Sequence, residues 1–271
     1  MTQRQASKRS PLKSSPPRQA GQSVQAKMDD YLVEHLLNPL FATAAFGICA
    51  LAFWVTHLTH ASILLTAWIM TALFLISIPL GILKIKQSKE GFRKLQQGRD
   101  GERIVGAMLE ELRKDGYRVL HDVPDAKNQS FNIDHVVIGP GGVFAIETKT
   151  FSKVGTPNEK IRFEKGELII PGIGRGTRVG KIIDQVQANA RFIHKHLAET
   201  TGHKVQVQPV VIFPGWYVNE PRSTERSQLP AWVLNENRIS AWIGNSPSRL
   251  SQEDINLYTH RLRLHIDDCF S

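Results

Sequence analysis

Three side chains able to do chemistry stand close together in an otherwise apolar setting. Asp134 lies in Phe131-Asn132-Ile133-Asp134-His135-Val136-Val137-Ile138, and Glu147 and Lys149 lie in Val143-Phe144-Ala145-Ile146-Glu147-Thr148-Lys149. Strand alternation in the second segment sets Val143, Ala145, Glu147 and Lys149 on one face and Phe144 and Ile146 on the other. In the first, Ile133 and Val137 share a face, and Asp134 joins Val136 and Ile138 on the opposite one. Strands apolar on both faces are interior, where a carboxylate needs a reason. Pro140-Gly141 is a turn dipeptide, and a tight hairpin centred there sets Asp134 opposite Glu147. Opposed residues have Cβ atoms about 5 Å apart, so the two carboxylates repel unless a cation lies between them. The pattern asks for a divalent metal, and oxygen-only donors favour Mg²⁺ or Mn²⁺ over zinc. Lys149 projects from the same face, where it can orient or help deprotonate a water and offset charge developing on a phosphate. A structural ion pair between Glu147 and Lys149 at a strand end is the plainer alternative.

Two further residues are candidates. Glu102 lies in the first turn of an expected helix, in line with Val105 and Leu109, so it points toward the sheet or else complements the helix dipole. Gln185 borders the apolar stripe Val179, Ile182, Ile183, Val186, Ala190, Ile193 and Leu197, a position that ordinarily marks the edge of a solvated face.

The elements that must position these residues follow from periodicity and turn signals. The pattern predicts a helix over 99–115, strands over 117–123, 131–139 and 142–150, and a hairpin over 161–170. A long helix over 179–199, a strand over 205–213, a short strand at Trp232–Leu234 and two terminal helices complete the order. Such an order gives an α/β domain, a mixed sheet flanked by helices.

With these residues in view, the segment from about Gly98 to Phe213 resembles the nuclease-related domain (NERD) family, a branch of the PD-(D/E)xK phosphodiesterase superfamily. The resemblance is carried by Gly101-Glu102, Ile133-Asp134-His135-Val136-Val137, Ile146-Glu147-Thr148-Lys149 and Asp184-Gln185. It implies a restriction-endonuclease-like fold in which Asp134 and Glu147 bind Mg²⁺ or Mn²⁺, Lys149 serves the nucleophilic water, and Glu102 and Gln185 complete the site. Asn132 and Thr150 stand where many relatives have Gln and Asn, and no proline precedes the aspartate. The implied activity is metal-dependent hydrolysis of a phosphodiester in nucleic acid, DNA before RNA. A scaffold that binds nucleic acid or protein without turnover is the alternative.

From Leu36 to Leu83 there is no Asp, Glu, Lys or Arg, and the run divides near Thr56–Ala61 into two stretches, each long enough to cross a bilayer. The expected organisation is a disordered basic tail (1–35), a transmembrane hairpin (36–83), a basic linker (84–97) that continues the second helix, and the nuclease-like domain (98–271). The net charge of +9 is concentrated at the flanks of the apolar run, with +3 over 1–35, +4 over 84–97 and only +2 beyond. By the positive-inside rule both termini and the domain lie in the cytoplasm, the protein being multi-pass in an inner or plasma membrane. A chain beginning near Gly98 is expected to fold by itself. Cys49 and Cys269 suggest neither a disulfide framework nor a zinc site. The glycine-rich run Pro171–Lys181 lacks the residues of a phosphate loop, with Arg175, Arg178 and Lys181 left as phosphate contacts. Trp216 and Tyr217 read as packing residues rather than base-stacking ones.

Overall fold

The computed structural model describes residues 17–59, 64–125, 132–153, 160–164, 167–172, 177–219 and 230–270. The chain forms two compact units, one of residues 1–21 with 101–271 and the other of residues 22–100.

The second unit is helical. α1 (Gln22–Leu32) leads through a π-turn (Val33–Leu37) into α2 (Asn38–Thr59), and α3 (Leu64–Glu111) follows. The tail expected to be disordered as far as residue 35 is therefore helical from Gln22; residues 1–16 lie outside those described. α2 and the first half of α3 pack through Trp54, whose Nε1 donates to Thr71 Oγ1 at 2.9 Å and whose ring meets that of Trp68 edge-on. Most of their large apolar side chains are nonetheless exposed, Phe41, Ile48, Leu58 and Leu65 among them. Both helices are long and apolar enough to cross a membrane.

α3 runs unbroken through the expected linker and through the helix expected to begin at 99. Gly91, Gly98 and Gly101 do not interrupt it, because a helical glycine costs only about 1 kcal/mol relative to alanine. The helix closes in a 3₁₀ turn (Leu112–Asp115) capped by Gly116 at φ 83°.

The first unit is built on a mixed five-stranded sheet of order β1-β2-β3-β6-β8, flanked by helices. β1 (Arg118–Pro124), β2 (Asn132–Gly139) and β3 (Gly142–Thr148) form an antiparallel meander. The chain then makes β4 (Lys160–Glu164) and β5 (Glu167–Ile169), passes through α4 (Thr177–Thr201) and returns as β6 (Val207–Ile212) parallel to β3. β7 (Tyr217–Val218), not foreseen from the sequence, pairs with β4 in a small second sheet. β8 (Trp232–Leu234), α5 (Glu236–Gly244) and α6 (Gln252–Phe270) finish the unit.

The β2–β3 hairpin has the anticipated register, with His135 opposite Ile146, Val137 opposite Phe144 and Gly139 opposite Gly142. Gly139 is obligatory for packing, since a Cβ there would lie 2.0 Å from the Tyr117 ring, which is pinned by its hydroxyl to Ile243 O. Each face of the sheet has its own core. Phe144, Ile146 and Val137 pack with Val105 and Leu109 of α3 and Ile239 and Ile243 of α5, while Val143, Val136 and Ile138 pack with Ile193 and Leu197 of α4 and Leu262 of α6.

Ile133 departs from expectation. It joins the α4–α6 core rather than sharing a face with Val137. The cause is a local twist: Asp122, bracketed by the pairs His121–His135 and Val123–Ile133, takes φ 54°, a conformation that aspartate tolerates better than most residues. Val119 before it packs toward α3, whereas Val123 beyond it packs toward α4 and α6.

Asp122 is also the anchor for the start of the described chain. Its carboxylate, 2% exposed, accepts from Arg18 Nε at 2.8 Å and from Asn132 Nδ2 at 2.8 Å, and the Arg18 guanidinium lies 4.0 Å from the centre of the Phe270 ring. Ala20 meanwhile packs so closely on Gly106 of α3 that a Cβ at that glycine would sit 2.6 Å away.

Candidate active site

Glu147, near the end of β3, is 3% exposed and carries the densest set of polar contacts in the site. Its Oε1 accepts from Lys149 Nζ at 2.6 Å and from Gln185 Nε2 at 2.8 Å, and its Oε2 accepts from Asn189 Nδ2 at 2.9 Å. A carboxylate in an apolar interior is tolerable only when paired and hydrogen-bonded, and here an ammonium and two amides meet that need. The backbone N–H of Lys149 donates to Ile212 O at 2.9 Å, which holds the lysine against β6.

Asp134 occupies the β2 position next to the His135–Ile146 pair of the hairpin ladder, and its Oδ2 accepts from Thr148 N at 2.6 Å. Burial pushes its carboxyl well above the usual aspartate range, and the charges of Glu147 and Glu102 push the same way against the Thr148 N–H and Lys149. Lys149 shows the complement: burial works to lower its pKa, but Glu147, Asp134 and Glu102 outweigh that and raise it. The lysine is thus an ammonium at neutral pH, suited to donating hydrogen bonds and balancing charge rather than to taking a proton.

Glu102 reaches this cluster from α3. A Cβ at Gly101 would lie 2.2 Å from Thr150 Cγ2, so glycine is what allows the helix to run this close to the end of β3. Glu102 is 8% exposed, facing inward rather than to solvent. All five residues singled out from the sequence therefore come together: Glu147, Lys149 and Gln185 by direct hydrogen bonds, and Asp134 and Glu102 through their charges. Among the described residues, no three His, Cys, Asp or Glu side chains form a cluster able to hold a metal ion by themselves.

Asn189 was missed. It is completely buried, one helical turn beyond Gln185 on α4, and its Oδ1 has no hydrogen-bond partner. The i, i+4 spacing from Gln185 is the signal that could have found it. A histidine pair was missed as well. His121 Nδ1 and His135 Nδ1 lie 2.9 Å apart, His121 Nε2 meets Glu110 Oε1 at 2.9 Å, and His135 Nε2 is 3.5 Å from Thr148 Oγ1. Burial lowers the pKa of both rings, and His121 lowers that of His135 further. With both neutral and Glu110 accepting from His121 Nε2, the proton between the rings belongs to His135 Nδ1.

Trp216 is the packing residue expected, buried and donating to Phe151 O at 3.0 Å; Tyr217 is not, being exposed with Lys160 Nζ 5.4 Å from its ring centre. Arg175 in the glycine-rich loop lies outside the described residues.

A mixed sheet with this acidic cluster and lysine at the ends of its central hairpin is the arrangement expected of a nuclease-like domain. Residues 97–214 match the model of the nuclease-related domain family. An uncharacterized protein of Bacillus anthracis is 40% identical over 57 residues, which are 20% of this chain and 27% of that protein. The chain thus spans about a quarter of the length of that curated relative. No solved structure matches the chain.

Proposed function

We propose that the chain is a membrane-anchored, divalent-metal-dependent nuclease that hydrolyses phosphodiester bonds, preferentially in DNA, at the cytoplasmic face. The observation that carries this reading is the buried group of Asp134, Glu147 and Glu102 around one ammonium, inside a segment that matches the nuclease-related domain. Three carboxylates sharing one lysine leave an excess of negative charge, which a divalent cation would balance.

The donor chemistry fits Mg²⁺ or Mn²⁺. Asp134 and Glu147 offer carboxylate oxygens, and the unpartnered Asn189 Oδ1 offers a neutral one. Mg²⁺ is commonly bound through only one or two carboxylates and keeps several waters, so a third acidic ligand is not needed. Asp134 and Glu147 would hold the ion; when bound, it supplies an activated water and a counter-charge for the phosphate. The chain's own residues do the rest. Lys149, already an ammonium, donates a hydrogen bond to a phosphate oxygen or to the attacking water and stabilises charge as it develops. Gln185 and Asn189 keep the Glu147 carboxylate in one orientation, and Thr148 N does the same for Asp134.

Membrane anchoring is supported by the length and apolar surface of α2 and of the first half of α3. The basic residues beside them favour a cytoplasmic location for both flanks. The bond between Arg18 and Asp122 adds an independent argument, because residues before and after the hairpin belong to one folded unit and must share a side.

The test is cleavage by the full-length chain in detergent, with single- and double-stranded DNA and RNA and with Mg²⁺, Mn²⁺ or EDTA. Cleavage that EDTA stops and that Glu147→Gln abolishes supports the reading. Binding of nucleic acid without cleavage under any metal would replace it with that of a non-catalytic module.

A further inference from the structure

We infer that Asn189 is a positioning residue for the metal: it reserves one oxygen of Glu147 for the ion and accepts, through its own Oδ1, a hydrogen bond from a water in the ion's shell. The inference rests on the metal-dependent reading above and deepens it.

The argument is a count of lone pairs. Each carboxylate oxygen has two. Glu147 Oε1 has committed both, to Lys149 Nζ at 2.6 Å and Gln185 Nε2 at 2.8 Å. Oε2 has committed one, to Asn189 Nδ2 at 2.9 Å, and keeps one. Oε2 is therefore the oxygen with room for a cation, and Asn189 fixes the direction of its remaining lone pair.

The other end of the same amide is the second half of the case. Asn189 is fully buried, yet its Oδ1 has no partner, whereas buried acceptors are nearly always satisfied. Turning the amide over does not resolve this, since it would face Oδ1 against Glu147 Oε2, two acceptors together. The orientation is thus imposed by Glu147, and the lone pairs of the buried Oδ1 are left unsatisfied on the amide that holds the oxygen proposed to take the ion. Water bound to Mg²⁺ or Mn²⁺ is a strong donor, and acceptors in the outer shell of a metal commonly hold such waters in place. The helix neighbours Val186, Ala190 and Ile193 are apolar and buried, and offer Oδ1 no side-chain donor.

Binding of Mn²⁺ to the full-length chain in detergent, followed by the loss of the free-ion electron paramagnetic resonance signal, tests this without reference to turnover. Thermal unfolding in EDTA reports the fold of each variant. Asn189→Leu, close to isosteric, removes donor and acceptor together and is expected to bind Mn²⁺ about 10- to 100-fold more weakly than wild type. Asn189→Asp keeps an oxygen acceptor but faces the Glu147 carboxylate; it should melt lower in EDTA and gain more from Mn²⁺ than wild type does. Equal affinity in wild type and Asn189→Leu, with binding lost in Glu147→Gln, overturns the role of Asn189 and leaves the metal site standing. No binding by wild type removes the metal reading itself, and this inference with it. Should Asn189→Leu not fold, Asn189→Asp decides: a larger Mn²⁺-dependent rise in melting temperature than wild type supports the inference, and the absence of one overturns it.

Discussion

Asp134 is the residue where electrostatics and function oppose stability most directly. An unfolded aspartate loses its proton near the ordinary value of 3.8, while folding holds the proton to higher pH. Across that interval only the folded state is penalised for ionisation, so stability falls as pH rises and stays lower above the folded pKa. Asp134→Asn escapes this. In EDTA it should melt above wild type at neutral pH, with the difference vanishing below about pH 4, and a series of thermal melts from pH 3.5 to 8 would measure it. The same variant, like Glu147→Gln, should lose metal-dependent cleavage. Lys149→Ala should bind Mn²⁺ much as wild type does while lowering kcat; a weakened affinity comparable to that of Glu147→Gln would mean that the lysine holds the carboxylate rather than serving the reaction. Much of this scale was legible in the sequence, because strand alternation and one turn dipeptide suffice to align two acids and a lysine. Asn189 and His121 were not. Each gains its meaning from a partner on another element, and the one local signal is the i, i+4 spacing of Asn189 from Gln185.

At the scale of elements, the site depends on how closely α3 runs to the end of β3. Gly101 sets that distance, and its spacing from Thr150 leaves no room for a side chain. Gly101→Val should cost about 1–3 kcal/mol through overpacking and should carry Glu102 away from the cluster, so that cleavage falls by more than the stability loss explains. Gly98 is a control on the same helix. A Cβ there meets nothing, and Gly98→Ala should stabilise by about 0.4–1 kcal/mol through the unfolded chain, as urea unfolding would show. Element types and order were readable from periodicity. The helical continuation past Lys84 was readable too; its unbroken join to the helix expected from 99 was not, because Gly98 and Gly101 look like a boundary although a helical glycine does not force the helix to stop. The two-residue β7 carries too little pattern for periodicity to detect; it exists because β4 offers it an edge.

On the scale of the whole molecule, the sheet-containing unit is discontinuous in sequence, and the helical unit is inserted between its parts. The expectation that residues 98–271 fold unaided therefore meets a specific test at Arg18. Without Arg18 the Asp122 carboxylate is left buried without its cation, and breaking such a pair costs about 3–5 kcal/mol. Arg18→Ala should lower the stability of the full-length chain by an amount of that order, and a chain lacking its first 21 residues should be no more stable; a melt unchanged by Arg18→Ala would show that the clasp contributes nothing. Reporter fusions at the two ends should both register as cytoplasmic, and opposite locations would contradict the proposed topology.

The clasp also bears on biogenesis. Arg18 leaves the ribosome 104 residues before Asp122, so during synthesis the cation exists long before the anion it serves. If the intervening helices enter a bilayer as proposed, only chains that leave their beginning on the side where the sheet will form can bring Arg18 to Asp122. A molecule threaded the wrong way would lack that clasp and the stability it contributes, so one ion pair would couple correct insertion to the stability of the folded sheet unit.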